Sequence, residues 1–225
     1  MRYDWNFAAI APYWGAIGAG VVVTIKLTAL SILLGTVGGF LLGPLLTVRM
    51  PALRWALISL VDVIRSTPVL ILIVAANYFL PIAFSSPNLD PFLICVIALS
   101  LNLCVFVADT FRGAIRFVPH EELEAARAVG LTSFEVFTRI SLPHVIDICL
   151  PTLTLLYIAI AKNSALSSVI AVYDLTHTAN LIITEKMRTL EVYVVVVAIY
   201  VALILPLTIL SRVMESRRRV HAAAA

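Results

Sequence analysis

The chain has 225 residues, 61% hydrophobic and 13% charged, with a formal net charge of +3 and a mean hydropathy of +1.03. Those values exclude a soluble domain of ordinary amphipathic helices and describe a polytopic membrane protein. A β-barrel is excluded as well, because its strands alternate in polarity whereas the apolar runs here are apolar on every face.

The first six residues include Asp4 but no basic cluster or small-residue cleavage site, so the start does not read as a removable signal peptide and the first helix serves as its own insertion signal. Residues 5–48 are interrupted only by Lys26. Two tight spans are conceivable there, but Ala11-Pro12 and the early glycines make a poor separate span, so one long helix over about 15–48 is preferred. Further spans are expected at about 66–89, 91–112, 145–172 and 191–212, each near or above the roughly 20 residues that cross about 30 Å of hydrocarbon. The fourth is broken only by Lys162. Cys95, Cys104 and Cys149 sit in or beside apolar runs as small apolar thiols. The four histidines are scattered, so neither a disulfide framework nor a metal site is expected.

Basic residues set the orientation. Arg49, Arg54, Arg65, Arg112, Arg116, Arg127, Arg139, Arg212, Arg217, Arg218 and Arg219 fall on one side of the five spans, whereas only Arg2, Lys186 and Arg188 fall on the other. An outside N-terminus and a cytoplasmic C-terminus are expected, with residues 119–143 in the cytoplasm.

That segment is a polar island. Pro119 suits a first helical turn, and Glu121, Glu122 and Glu124 place negative charge at the helix dipole's positive end. Gly130 can take the left-handed conformation that ends a helix. Thr132-Ser133-Phe134-Glu135 fits a capping box and opens a second short helix to about Ile140, which is expected to stop before Pro143. The outer surface should offer Ala125 and Ala126 for close approach, with Val129, Leu131 and Phe134 as apolar anchors.

Here the residues carry a resemblance. Glu124-Ala125-Ala126, Gly130 four residues later, then Ile140 and Leu142-Pro143 resemble the EAA loop of membrane subunits of bacterial ATP-binding cassette importers. Arg65-Ser66-Thr67-Pro68 is similar to the Arg-Gly-Thr-Pro motif of the polar amino-acid permease branch, with Ser66 replacing glycine. Asp109 with Arg112-Gly113-Ala114-Ile115 resembles its Glu-x-x-Arg-Gly-x-Ile, and Lys162-Asn163-Ser164-Ala165-Leu166 its Lys-Asp-Thr-Ser-Leu. The resemblance covers roughly 24–212. It implies an all-α, five-span type I importer transmembrane domain forming one domain over 1–225, resident in the bacterial inner membrane. In the family the loop docks in a groove of a cytoplasmic ATPase dimer, and two permease subunits, identical or homologous, form the pore beneath a periplasmic solute-binding protein. Glu124, Ala125, Ala126, Gly130, Leu131, Phe134, Leu142 and Pro143 are therefore the candidate ATPase-coupling residues. Arg65, Thr67, Pro68, Asp109 and Arg112 are candidate structural-motif residues.

A phosphate-binding P-loop needs Gly-Lys, but the three lysines follow Ile25, Ala161 and Glu185. No catalytic residues and no cofactor are expected in this chain; ATP and Mg belong to the partner ATPase. No nucleic-acid partner is expected.

Ionisable groups within spans cost about 2.5–3.5 kcal/mol on insertion scales and ask for a partner or a pathway. Lys162, Asn163 and Ser164 either flank the substrate path or, for Lys162, are held by Asp109 or Asp147. Asp109 and Arg112, three residues apart, can pair on one helix face, and Asn102 two turns earlier either meets substrate or bonds another helix. Asn163 replaces the branch's usual aspartate, which removes a negative charge and points to a neutral or acidic amino acid or an opine-like conjugate. The alternative is an ion-coupled carrier or channel using Lys162 and Asp109 as relay groups. Such carriers commonly show inverted repeats, and none is visible.

Overall fold

The computed structural model describes residues 4–48 and 50–223, with side chains as far as residue 212. Arg2, Arg49 and the side chains of Arg217, Arg218 and Arg219, which entered the orientation count, lie outside the described ones. A short 3-10 helix, Phe7–Tyr13, leads into α1 (Trp14–Leu45), and α2 (Pro51–Ser66), α3 (Val69–Ala83) and α4 (Pro91–Ala114) follow. Within the polar island lie α5 (His120–Ala128) and α6 (Ser133–Val136), and after it come α7 (Leu142–Asn163), α8 (Leu175–Lys186) and α9 (Thr189–Ala223). No strand occurs among the described residues.

Among the described residues four helical stretches are long and apolar enough to cross a membrane, namely Phe7–Leu45, Pro91–Phe117, Ser133–Ile170 and Thr189–Arg212, and the bent α2–α3 pair, taken as one span, raises the number to five. The second expected span differs from 66–89. Its helix covers only 15 residues, and α2 meets it at 107°. Thr67 at the junction is extended (φ −83°, ψ 125°), as a residue before proline prefers, and Pro68 cannot donate the amide that would carry α2 onward.

α4 is the central helix, with 56% of its apolar window buried against 11% for α9. Lipid is as apolar as leucine, so helices in a bilayer are held by close packing and hydrogen bonds and not by exclusion from water. The α1–α4 contact shows how. Small residues recur on one face of α1: Gly20, Thr24, Ser31, Gly35, Gly39 and Gly43 are all buried. A Cβ added at Gly35 would stand 2.7 Å from the Leu103 Cβ, one at Gly43 would stand 2.6 Å from the Phe111 ring, and one at Gly39 would collide with Val107. The glycines leave a groove that seats three α4 side chains, and the two helices run parallel in that register.

The segment between the fourth and fifth expected spans forms α8. Asp174 caps it, its Oδ1 accepting from the His177 amide at 2.8 Å. The helix docks on α1 where Gly20 leaves room, and the Thr24 hydroxyl accepts from the Leu175 amide at 3.1 Å while donating to the Gly20 carbonyl at 3.0 Å. Burial pushes the Asp174 carboxyl above its usual range, with the His177 and Thr176 amides opposing. Further along the same end, Glu191 is fully buried and accepts from the Asn6 amide at 3.0 Å, while Arg188 donates to the Asp4 carbonyl at 2.9 Å. The chain's start is thus tied to the α8–α9 junction.

Candidate functional site

The polar island folds as two helices around a glycine. Pro119 takes the extended N-cap position, one residue outside the first turn, and α5 runs His120–Ala128. Gly130 has φ +85°. The Gly130 amide donates to the Arg127 carbonyl at 3.0 Å and the Leu131 amide to the Ala126 carbonyl at 3.1 Å, the bond pair that closes a Schellman motif. Thr132 then caps α6 (Ser133–Val136): its hydroxyl accepts from the Glu135 amide at 3.3 Å, and the Glu135 carboxylate accepts from the Thr132 amide at 3.0 Å. That amide bond, with the Thr132 hydroxyl, holds the Glu135 carboxyl below its usual range. His144 Nε2 lies 2.8 Å from Glu122 and joins the start of α7 to α5.

Two expectations for the island are corrected. The second helix does not stop before Pro143. Phe137–Ser141 form a π-helical turn that passes into α7, with the Leu142 amide donating to the Phe137 carbonyl five residues back. The wider turn at the start of α7 accommodates Pro143, which has no amide to donate. Ala126 is also not on the outer surface. It is 5% exposed and faces the protein, while Glu124 and Ala125 point outward with the large apolar side chains Val129 (79% exposed) and Phe134 (74%). Leu131 and Leu142 are half-buried and Pro143 is exposed.

Two sequence motifs far apart in the chain meet at one carboxylate. Arg65 Nη1 donates to Asp109 Oδ2 at 2.6 Å, and Arg112 Nε donates to Asp109 Oδ1 at 3.0 Å, with a second contact from Nη2. The Arg65 guanidinium also stands 5.3 Å from the centre of the Phe106 ring. Thr67 donates to the Val63 carbonyl at 2.9 Å and Pro68 caps α3. The node therefore fixes the elbow between α2 and α3 against the end of α4.

The residues expected along a substrate path are not all open to one space. Asn102 is 4% exposed and Ser164 fully buried, with the Ser164 hydroxyl donating to the Ala161 carbonyl at 2.9 Å. Asn163 is half-buried at the end of α7. Lys162 is exposed in the single chain and faces an apolar groove of about 320 Å³ lined by Tyr200, Ile204 and Thr208 of α9. Among the described residues Lys162 makes no ion pair, and Asp109 is engaged by two guanidiniums instead. The Lys162–Asp109 pairing is set aside on that geometry. Sequence reasoning missed the glycine groove, although glycines spaced four apart at 35, 39 and 43 signal it.

A bundle of lipid-length helices carrying a doubly capped helical loop defines a membrane-embedded protein. The chain belongs to the binding-protein-dependent transport system inner membrane component family, whose model matches residues 35–220. It is a multi-pass inner-membrane permease subunit of an ATP-driven importer. It is 32% identical to a probable amino-acid ABC transporter permease of Sinorhizobium fredii, over 96% of this chain and 90% of that one. It is 29% identical to the glutamine transport system permease of Escherichia coli K12, over 98% and 100%. Among solved structures, an amino acid ABC transporter crystallised with histidines aligns with a TM-score of 0.83 at 29% identity, over 96% of this chain and all of that one.

Proposed function

We propose that the chain is the permease of an importer for amino acids or their derivatives, powered by a separate ATPase dimer that grips the 119–143 loop. The observation that carries this reading is the loop itself: two capped helices around Gly130, with Val129 and Phe134 exposed on a surface that the chain's own core does not cover. ATP and Mg then reside on the ATPase, since no lysine here follows glycine. A second permease copy or homologue would cover part of the exposed α9 face, and a solute-binding protein would deliver cargo at the opposite end, near α8 and the N-terminal 3-10 helix. The arginine bias supports a cytoplasmic loop and C-terminus and an outside N-terminus, with one transmembrane domain over 1–225.

The amino-acid and glutamine permeases among its relatives support an amino-acid class. Within it, Asn163 beside Lys162 leaves the segment cationic, which suits a neutral or acidic amino acid or an opine and disfavours an extra ammonium. With the complex reconstituted in liposomes, glutamine or an acidic amino acid is expected to be taken up with a lower half-saturation concentration than arginine. Tighter handling of arginine contradicts this choice of solute.

A further inference from the structure

Away from the coupling loop, at the other end of the bundle, α1, the start of α4 and the segment before α8 enclose an open cavity of about 470 Å³. Its walls carry one cation and one anion, Lys26 and Asp90, together with Phe92, Tyr173 and the aliphatic Val23 and Val172. Lys26 forms no ion pair or hydrogen bond among the described residues, although Asp90 lines the same space. Asp90 uses Oδ1 to cap α4, accepting from the Phe92 amide at 2.9 Å, which leaves Oδ2 for another donor.

The position along the membrane normal follows from the helix register. The run from Asp90 to Asp109 covers about 28 Å at 1.5 Å per residue, close to the roughly 30 Å of a hydrocarbon core. With the Arg65–Asp109–Arg112 node at one edge, Asp90 stands at the other. The α1–α4 pairing of Gly35 with Leu103 and Gly39 with Val107 places Lys26 about one turn below Asp90. A lysine side chain spans that distance by extending toward the surface, and Phe92 and Tyr173 occupy the depth where aromatic side chains collect.

We propose that this cavity binds a zwitterion carrying a primary ammonium and an oxyanion, the ammonium against Asp90 and the oxyanion against Lys26. Two sources have that chemistry: the headgroup of an ethanolamine phospholipid in the adjoining leaflet, and the α-ammonium and carboxylate of a free amino acid. The cavity's place at the membrane edge favours the headgroup. The amino-acid source rests on the solute class proposed above, whereas the headgroup source does not.

The test uses the permease purified with its ATPase partner from bilayers containing equal ethanolamine, choline and glycerol phospholipids, with the lipids that stay bound identified by mass spectrometry. Ethanolamine lipid is expected to exceed choline lipid, which has no N–H to donate, by about tenfold, the effect of one charge-assisted contact. Asp90→Asn, which keeps the cap, is expected to return the ratio to that of the bilayer, and Lys26→Met, which removes the partner of the phosphate that both lipids share, to lower the amount of both lipids retained about tenfold. The second arm measures labelled L-glutamine binding in bilayers lacking ethanolamine lipid. Saturable binding weakened about tenfold by each substitution assigns the site to the amino acid. A wild-type complex with neither lipid preference nor such binding, or one whose preference and binding both survive the two substitutions, overturns the proposal. The wild-type comparison needs no variant to fold, and ATP hydrolysis in the same sample reports separately on the permease reading.

Discussion

Gly39→Leu is expected to prevent the folded protein from accumulating in the membrane. A Cβ at this position already collides with Val107 of α4, and the full side chain would drive α1 from the helix on which most of the core is built. Overpacking costs about 1–3 kcal/mol where a core can adjust. Here the neighbours are a β-branched side chain and the Cys104 carbonyl, neither of which can rotate away, so the cost should lie at or beyond the upper end. In a bilayer no gain from water exclusion offsets the lost contact. The matched control is Gly15→Leu, because nothing lies within 4 Å of a Cβ there. Membrane-fraction yield and elution as a single species in detergent should be near wild type for Gly15→Leu and largely lost for Gly39→Leu. Equal yields would mean that the glycine groove does not hold the bundle together.

The second large effect is expected at Asp109. Asp109→Ala leaves the Arg65 and Arg112 guanidiniums facing each other with no counter-charge. Removing one partner of a fully buried pair costs about 3–5 kcal/mol. These side chains are 23%, 33% and 24% exposed for Asp109, Arg65 and Arg112, so solvent screening lowers the expected cost to about 2 kcal/mol. For a chain of this size that corresponds to a fall of about 4–8 °C in thermal midpoint. Arg65→Met combined with Asp109→Ala should recover part of the loss, since one of the two stranded charges is then gone. An unchanged midpoint for Asp109→Ala would show that the α2–α3 elbow is held by something else.

The polar island was the most legible part of the sequence because its signals are local. A capping box, a glycine C-cap and acidic residues in a first turn act over four or five residues, and each appears in the structure at the expected position. What failed there depended on context. Pro143 disfavours the α region at Leu142, yet Leu142 follows the π-turn in an α conformation (φ −65°, ψ −44°), so the local preference is overridden. Whether Ala126 faces in or out depends on where α5 lies on the bundle, which an Ala-Ala pair does not reveal.

The spans were legible in number and kind through uninterrupted apolarity, but apolarity does not register direction. The run at 66–89 reads as one helix, although Thr67-Pro68 turns the chain through 107° just inside it. The Arg65–Asp109 bond was invisible for a different reason: it joins residues 44 apart, and only the Asp109–Arg112 half follows a helical spacing. α8 escaped notice because it is short, although Asp174 ahead of Leu175 is an N-cap signal.

The central claim is that the 119–143 loop is gripped by an ATPase. It is tested most directly by purifying the tagged permease in mild detergent from cells expressing its transport partners and measuring the bound P-loop ATPase. The wild-type chain is predicted to retain it in fixed proportion. Gly130→Val, which forces a β-branched residue to a φ of +85° at a cost of about 1–3 kcal/mol, and Phe134→Asp, which puts a charge on the exposed anchor, are each predicted to reduce the bound ATPase about tenfold or more at unchanged permease yield. Solute uptake that continues undiminished with no ATPase bound would contradict the account.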